Sequence, residues 1–164
     1  MSDFITTGTI GARANNVQST ANRTAVLGQR ETGTLGQTYV FVQAAAAIAK
    51  YAAVFIPQGF TATSLSTTNA ALGGMVGVVQ TALLTGDLYF CPINGAGLYA
   101  LIDGTTYLLP GVNLAPSGLA AGLLAQASIT GQYFVAGIRT LTTASGTTVT
   151  TEVVLNNPHI FLPG

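Results

Sequence analysis

Charge is what this chain has least of. The sequence of 164 residues contains five Lys or Arg, five Asp or Glu and one His, so 6% of its residues are charged and its formal net charge is zero. Ordinary soluble domains carry about 25% charged residues and a clear net sign that keeps copies apart. We therefore expect much of the surface of this chain to be used for contacts with other proteins.

The shortage of cations excludes nucleic acid as an expected partner, because such binders neutralise many phosphates with clustered Lys and Arg. A membrane partner is not expected either. Residues 51–86 and 104–138 contain no charge, but Pro and Gly interrupt both stretches. Neither offers the roughly 20 consecutive apolar residues of a spanning helix.

The groups used in catalysis are scarce as well. The only histidine is His159 and the only cysteine is Cys91, which lies inside the apolar run 88–93. Asp87 and Asp103 each lie beside a glycine in a predicted turn, where Asp favours turn geometry. The sequence contains no CxxC or HExxH motif and no glycine-rich phosphate loop. We predict no enzymatic activity, no metal and no cofactor, a buried unreactive Cys91, and a surface or interface position for His159.

Short apolar runs separated by turn residues predict an all-β fold, a small sandwich or barrel of short antiparallel strands. A turn at 94–97 and a tight hairpin at Asp103-Gly104 separate three of the predicted strands, and the Ala-rich segment 44–53 is predicted to begin with a short helical turn. The predicted strands are 39–42, 54–56, 75–80, 88–93, 98–102, 106–109, 132–139 and 147–155, with a further edge strand at 159–162.

The first 36 residues differ from the remainder. They hold three of the five cations, and their few large apolar residues follow neither the period of a strand nor that of a helix. We interpret residues 1–36 as an extended irregular arm and residues 37–164 as a β-rich head domain. The arm is either a solvated terminus or a segment that lies on a partner.

Three stretches carry a resemblance to a known family. The first is Leu27-Gly28-Gln29-Arg30 followed by Tyr39-Val40-Phe41-Val42-Gln43-Ala44 and the Ala-rich turn. The second is Val54-Phe55-Ile56 followed by the Thr-, Ser- and Ala-rich stretch 62–71. The third is the run 74–83, which begins Gly-Met-Val-Gly-Val-Val-Gln, followed by Gly86-Asp87-Leu88-Tyr89-Phe90 and Gly95. In this order they resemble the decoration (cement) proteins of tailed-bacteriophage heads, over roughly residues 27–100.

The resemblance implies a virion protein on the outer capsid surface. It implies a homotrimer or homodimer that binds and stabilises neighbouring major capsid proteins, often through an extended N-terminal arm. On this hypothesis the arm arginines pair with acidic groups on the capsid and isolated apolar residues fill shallow pockets. The predicted capsid contacts are Phe4, Ile10, Arg13, Arg23, Val26 and Arg30.

Other functions remain open from the sequence. A tail-tube or fibre module is another virion component of compatible size and composition. A carbohydrate-binding β-domain would need exposed aromatic residues beside polar ones, and this chain has no Trp and only six Tyr, most of them in predicted strands.

Overall fold

Residues 17–23, 25–33, 35–127 and 133–161 are described by a computed structural model of the chain. Over these residues the predicted all-β fold is confirmed, with eleven strands in one sheet and a single four-residue α-helix. The elements are β1 (Val17–Gln18), a 3₁₀ helix (Thr20–Asn22), β2 (Arg30–Thr32), β3 (Thr38–Ala44), β4 (Ala53–Ile56), β5 (Thr61–Ser64), α1 (Thr67–Ala70), β6 (Met75–Val78), β7 (Leu88–Leu108), β8 (Leu114–Pro116), β9 (Leu124–Gln126), β10 (Phe134–Thr140) and β11 (Ala144–Phe161).

The sheet closes on itself twice. In the six-stranded ring, β3 pairs with β7, β7 with β11, β11 with β6, β6 with β4, β4 with β5, and β5 again with β3. In the five-stranded ring, β7 pairs with β9, β9 with β8, β8 with β10, β10 with β11, and β11 again with β7. Closure removes the exposed edges that a flat sheet would present.

The two rings share the ribbon of β7 and β11, and this corrects part of the strand prediction. β7 is 21 residues long and β11 is 18, so neither is a short strand. The expected turn at 94–97 and the expected hairpin at Asp103-Gly104 do not reverse the chain. Instead β7 continues, paired first with β3 and then with β11. The glycines bend the strand, with φ of +122° at Gly95 and +71° at Gly97.

Two further details differ from the prediction. Not every pair is antiparallel, since β3 runs parallel to β5 and β7 runs parallel to β9. The Ala-rich segment contains no helical turn either. Ile48 instead forms a bridge with Leu83, and each amide donates to the other residue's carbonyl at 2.9 Å. These backbone bonds across the sheet override the weak helix preference of a short Ala run.

Each ring has its own core. The first cluster comes from β3, β4, β5 and β7 and fills the six-stranded ring; it includes Val40, Val42, Val54, Ile56, Ala62, Tyr89, Cys91 and Ile93. The second has members on every strand of the five-stranded ring and on β4 and β6; it includes Phe55, Val76, Leu98, Ile102, Leu114, Leu124, Ile138 and Leu155. β4 is buried on both faces, because alternate residues contribute to different clusters.

Candidate interaction site

The part of the predicted arm that the structure describes belongs to the sheet. Val17 in β1 pairs with Tyr89 in β7, and β2 pairs with the first half of β3. A boundary near residue 36 therefore does not separate an irregular arm from the β domain, because strand pairing crosses it. We call residues 25–33 the docked segment. Residues 1–16 lie outside the described residues.

The docked segment lies over an apolar outer face of β3 and β7. Across this face the Phe41 and Phe90 rings contact each other with centroids 4.7 Å apart, and both side chains are buried. Ala25 from the docked segment is buried in the same cluster, and Leu27 packs against it. Removing this apolar area from water is the driving force that holds the segment on the sheet.

Backbone hydrogen bonds fix the docked segment in place. The Gly28 amide donates to the Phe41 carbonyl and the Phe41 amide donates to the Gln29 carbonyl, both at 2.8 Å. A turn from Val26 to Gln29 is closed by the Gln29 amide on the Val26 carbonyl at 2.9 Å. Gly28 is required here, because its φ is +85° and a Cβ would collide with the Phe60 ring.

A second turn joins the docked segment to β3. The Gly33 amide donates to the Gln37 carbonyl at 2.8 Å, and the Gly36 amide donates to the Gly33 carbonyl at 3.0 Å. Gly33 is itself buried against the Tyr39 ring. Leu35 stands at the tip of this turn with 83% of its side chain exposed.

Two cations and two apolar side chains of this region are exposed to solvent. Arg23 and Arg30 are exposed, Val26 is 64% exposed, and Leu35 is the most exposed of the four. Within the described residues neither guanidinium makes an ion pair. We call Arg23, Val26, Arg30 and Leu35 the outer face.

Half of the predicted contact residues lie within the described part of the chain. Arg23, Val26 and Arg30 lie on the outer face, whereas Phe4, Ile10 and Arg13 lie outside the described residues. Leu35 was missed as a contact residue. The signal for it was an isolated large apolar residue directly before Gly36, where a turn would hold it in solvent.

An open apolar groove of about 560 Å³ lies beside the docked segment. Phe60, which packs over Gly28, forms one side of it, and Leu72, which is 75% exposed, lines it as well. The full lining is Phe55, Ile56, Pro57, Gln58, Phe60, Leu72, Gly73, Gly74 and Met75. The groove contains no titratable side chain, so it is suited to apolar contact and not to acid–base chemistry.

The thiol and the imidazole lie in different environments. Cys91 is fully buried, with Gly77 packed against its Sγ, and burial raises the pKa of the thiol well above its usual range. This confirms the prediction of a buried thiol, and a thiol held in its neutral form is a poor nucleophile. His159 is exposed, as predicted, and its Nδ1 lies 3.2 Å from the Asn157 carbonyl oxygen.

The two turn aspartates have different outcomes. Asp87 closes a turn as predicted, accepting from the Leu84 amide at 2.7 Å. The turn predicted for Asp103 is wrong. Asp103 is buried within β7, and it accepts from the Ser117 hydroxyl at 2.9 Å. The Ser117 hydroxyl also accepts from the Leu119 amide at 3.1 Å, so the pair anchors the loop after β8.

The described residues contain no group of three or more His, Cys, Asp or Glu side chains placed to hold a metal ion. In that part of the chain, no helix is long and apolar enough to cross a membrane. No protein-family model matches the chain, and no curated protein matches it either.

Proposed function

We propose that this chain is a structural protein of a virion, a head decoration protein that binds the outer capsid surface and stabilises contacts between major capsid proteins. The observation that carries the proposal is the outer face. Arg23 and Arg30 are exposed and make no ion pair with another described residue, and Val26 and Leu35 are held in solvent by turns. Acidic and apolar groups of a partner would bury these cationic and apolar side chains on binding.

The docked segment suits this role because it is already ordered. Flexible segments lose conformational entropy when they bind, about 1–2 kcal/mol for each backbone residue that becomes fixed. Hydrogen bonds from Gly28 and Phe41 hold the segment on the sheet before any partner arrives. The outer face is thus presented in a fixed geometry, which lowers the cost of binding. Contacts from Phe4, Ile10 and Arg13 stay a prediction.

The mechanism is mechanical. Packed DNA pushes a capsid outward and separates its subunits, so a protein that spans a subunit boundary adds interface that must be lost before the shell opens. A standard protein interface buries about 1,600 Å². Repeated at many sites, even modest interfaces of this kind raise the stability of the whole shell.

We also propose that the protein acts as a homotrimer or homodimer. Phe134 and Phe161 stack across β10 and β11 with ring centroids 5.2 Å apart, and the His159 ring lies 4.8 Å from Phe161. We call these three residues the aromatic patch; Phe161 is 45% exposed. The patch contains no Lys, Arg, Asp or Glu, so two copies of it meet without repulsion. Closed cyclic assemblies are the usual form for such self-contacts.

Mass spectrometry of purified particles from the virus that encodes the chain tests the proposal. We expect the chain to co-purify with the major capsid protein in a fixed ratio and to be accessible to antibody on intact heads. Its absence from heads would contradict the proposal. Recovery from separated tails, with rings or tubes in electron micrographs, would favour a tail-tube or fibre module instead.

A further inference from the structure

Two tyrosine rings form an exposed pair away from the docked segment. Tyr51 lies in the turn before β4 and Tyr99 lies in β7, and their ring centroids are 5.6 Å apart at an angle of 52°. Tyr99 is 44% exposed and Tyr51 is half-buried. Tilted contacts of this kind are favourable between aromatic rings, and this one leaves part of Tyr99 accessible to solvent.

The backbone of Tyr99 is fixed by a buried side chain. Gln80 is 6% exposed, and its amide group donates to the Tyr99 carbonyl and accepts from the Tyr99 amide, both at 3.0 Å. The backbone N–H of Gln80 donates to the Tyr89 hydroxyl at 2.9 Å. A buried side-chain amide that bonds both the backbone N–H and the backbone carbonyl of an exposed residue fixes the position of that residue.

Tyr51 is held just as firmly, in a conformation that non-glycine residues seldom adopt. Its φ is +66°. Its amide donates to the Val79 carbonyl at 2.9 Å, and its carbonyl accepts from the Leu101 amide at 2.8 Å. Strained residues of this kind concentrate at binding sites, because the surrounding structure must hold them in place.

Charged residues of both signs share this region of the sheet with the two rings. The Lys50 ammonium lies 4.6 Å from the centre of the Tyr51 ring. Glu152 in β11 is the direct cross-strand partner of Tyr99, so both side chains lie on the same face of the sheet. Arg139 pairs with Val154, two residues beyond Glu152, and therefore lies on this face as well.

We propose that Tyr51 and Tyr99, with Lys50 and Glu152, form a binding site for a neutral carbohydrate. The apolar C–H face of a sugar ring packs on the negative face of an exposed aromatic ring, and here the Tyr99 ring provides that face, since Lys50 lies over the Tyr51 ring. Sugar hydroxyls both donate and accept hydrogen bonds, so they can satisfy the Glu152 carboxylate and the Lys50 ammonium at the same time.

Two other ligands fit less well. A quaternary ammonium would be repelled by Lys50, which already occupies a position over the Tyr51 ring. A single-stranded nucleic acid would stack on the rings, but Glu152 would repel its phosphates and the chain carries no net positive charge. The site does not depend on the outer face, so it stands whether or not the chain is a decoration protein.

Nuclear magnetic resonance on the full chain tests the proposal, with maltohexaose, cellohexaose and N-acetylchitohexaose as probes. We expect saturation transfer to at least one of the three at about 1 mM, a concentration that detects weak sugar binding. The shifted amides should lie at residues 50–51, 99–101 and 152. Tyr99→Ala and Lys50→Ala should each weaken binding at least tenfold, whereas Tyr99→Phe should retain most of it.

Phe161→Ala is the matched control, because Phe161 has nearly the same exposure as Tyr99 but lies in the aromatic patch. It should leave sugar binding unchanged. The proposal is overturned if none of the three probes shows transfer, if Phe161→Ala weakens binding as much as Tyr99→Ala does, or if decaproline binds at these amides and the sugars do not. Circular dichroism of each variant verifies that it is folded.

Discussion

Two pairs of aromatic residues lie across neighbouring strands of this sheet, and they differ in solvent exposure. Phe41 and Phe90 are direct partners between β3 and β7, and both are at most 3% exposed. Phe134 and Phe161 are direct partners between β10 and β11, yet Phe161 is 45% exposed. The first pair is covered by the docked segment. Over the described residues, no comparable segment covers the second.

The difference shows what the N-terminal region does for the isolated molecule. Ala25 and Leu27 serve the fold, because they complete the cluster around Phe41 and Phe90. Val26, between them, points away and remains 64% exposed. Neighbouring apolar residues in one segment are thus divided between internal packing and a surface that is free for a partner.

Truncating one ring of each pair should give the largest difference between them, measured as the loss in free energy of unfolding. Phe41→Ala removes a fully buried ring and should lower the free energy of unfolding by about 3–5 kcal/mol. Phe161→Ala removes a ring that is already half in solvent and should cost less than about 1 kcal/mol. Urea denaturation of both variants, at a protein concentration where the wild type is monomeric, measures the difference. Equal losses would mean that the docked segment does not protect the first pair.

The cover itself can be loosened at Gly28. Gly28→Ala places a methyl group against the Phe60 ring at a φ of +85°, and should cost about 1–3 kcal/mol because strain and overpacking combine. Gly36→Ala is the control, since Gly36 has a similar φ of +79° but nothing within 4 Å of the added carbon. Hydrogen exchange should accelerate at the Phe41 amide in Gly28→Ala and much less in Gly36→Ala. Equal acceleration of hydrogen exchange in the two variants would mean that backbone strain alone, and not the collision with Phe60, loosens the segment.

A substitution in the exposed pair, Phe134 and Phe161, should weaken self-association of the protein and leave its folding stability nearly unchanged. If a second copy covers the aromatic patch, Phe161→Ser should weaken self-association at least tenfold, or about 1.4 kcal/mol. Sedimentation equilibrium of the wild type should give a multiple of 16.6 kDa at micromolar concentration. A wild-type mass of one chain, or an unchanged assembly in Phe161→Ser, would count against the patch as the subunit contact.

Alkaline pH should destabilise the core of the six-stranded ring and the face that the docked segment covers. Burial raises the pKa values of Cys91, Tyr89 and Tyr39 above their ordinary values of 9.0 for the thiol and 10.0 for the phenols. A raised folded-state pKa stabilises the protein fully below the ordinary value, and this contribution is lost as the pH rises beyond it. Melting temperature should therefore be flat up to about pH 9 and fall above it. In Cys91→Ala the fall should begin nearer pH 10; an unchanged onset would exclude the thiol as the first group to titrate.

Local patterns in the sequence predicted the strand content well. Runs such as Tyr39–Val42 and Val54–Ile56 are β-branched or aromatic and form strands in the structure. The double closure could not be predicted, because it depends on β7 passing from β3 to β11 without a turn. Asp103-Gly104 has the composition of a hairpin, and only the long-range pairing with β11 keeps the chain extended there.

The candidate site was predictable in part for a similar reason. Arg23, Arg30 and Val26 stood out as isolated residues in a polar segment. That residues 25–33 lie on the sheet did not follow from the sequence, because the docking depends on an outer apolar face made by distant residues of β3 and β7. The tyrosine pair was also missed, since Tyr51 and Tyr99 are brought together only by the fold.

Rebinding to capsids that lack this protein measures the central claim directly. The test variant changes Arg23, Val26, Arg30 and Leu35 together to Ser, and the control variant is Leu84→Ser, which changes an exposed leucine outside both the outer face and the aromatic patch. Both should remain folded, because all the changed side chains are exposed. We predict that the test variant binds capsids at least tenfold more weakly in co-sedimentation, a loss of about 1.4 kcal/mol or more, while Leu84→Ser binds with nearly wild-type affinity. Wild-type binding by the outer-face variant would contradict the account.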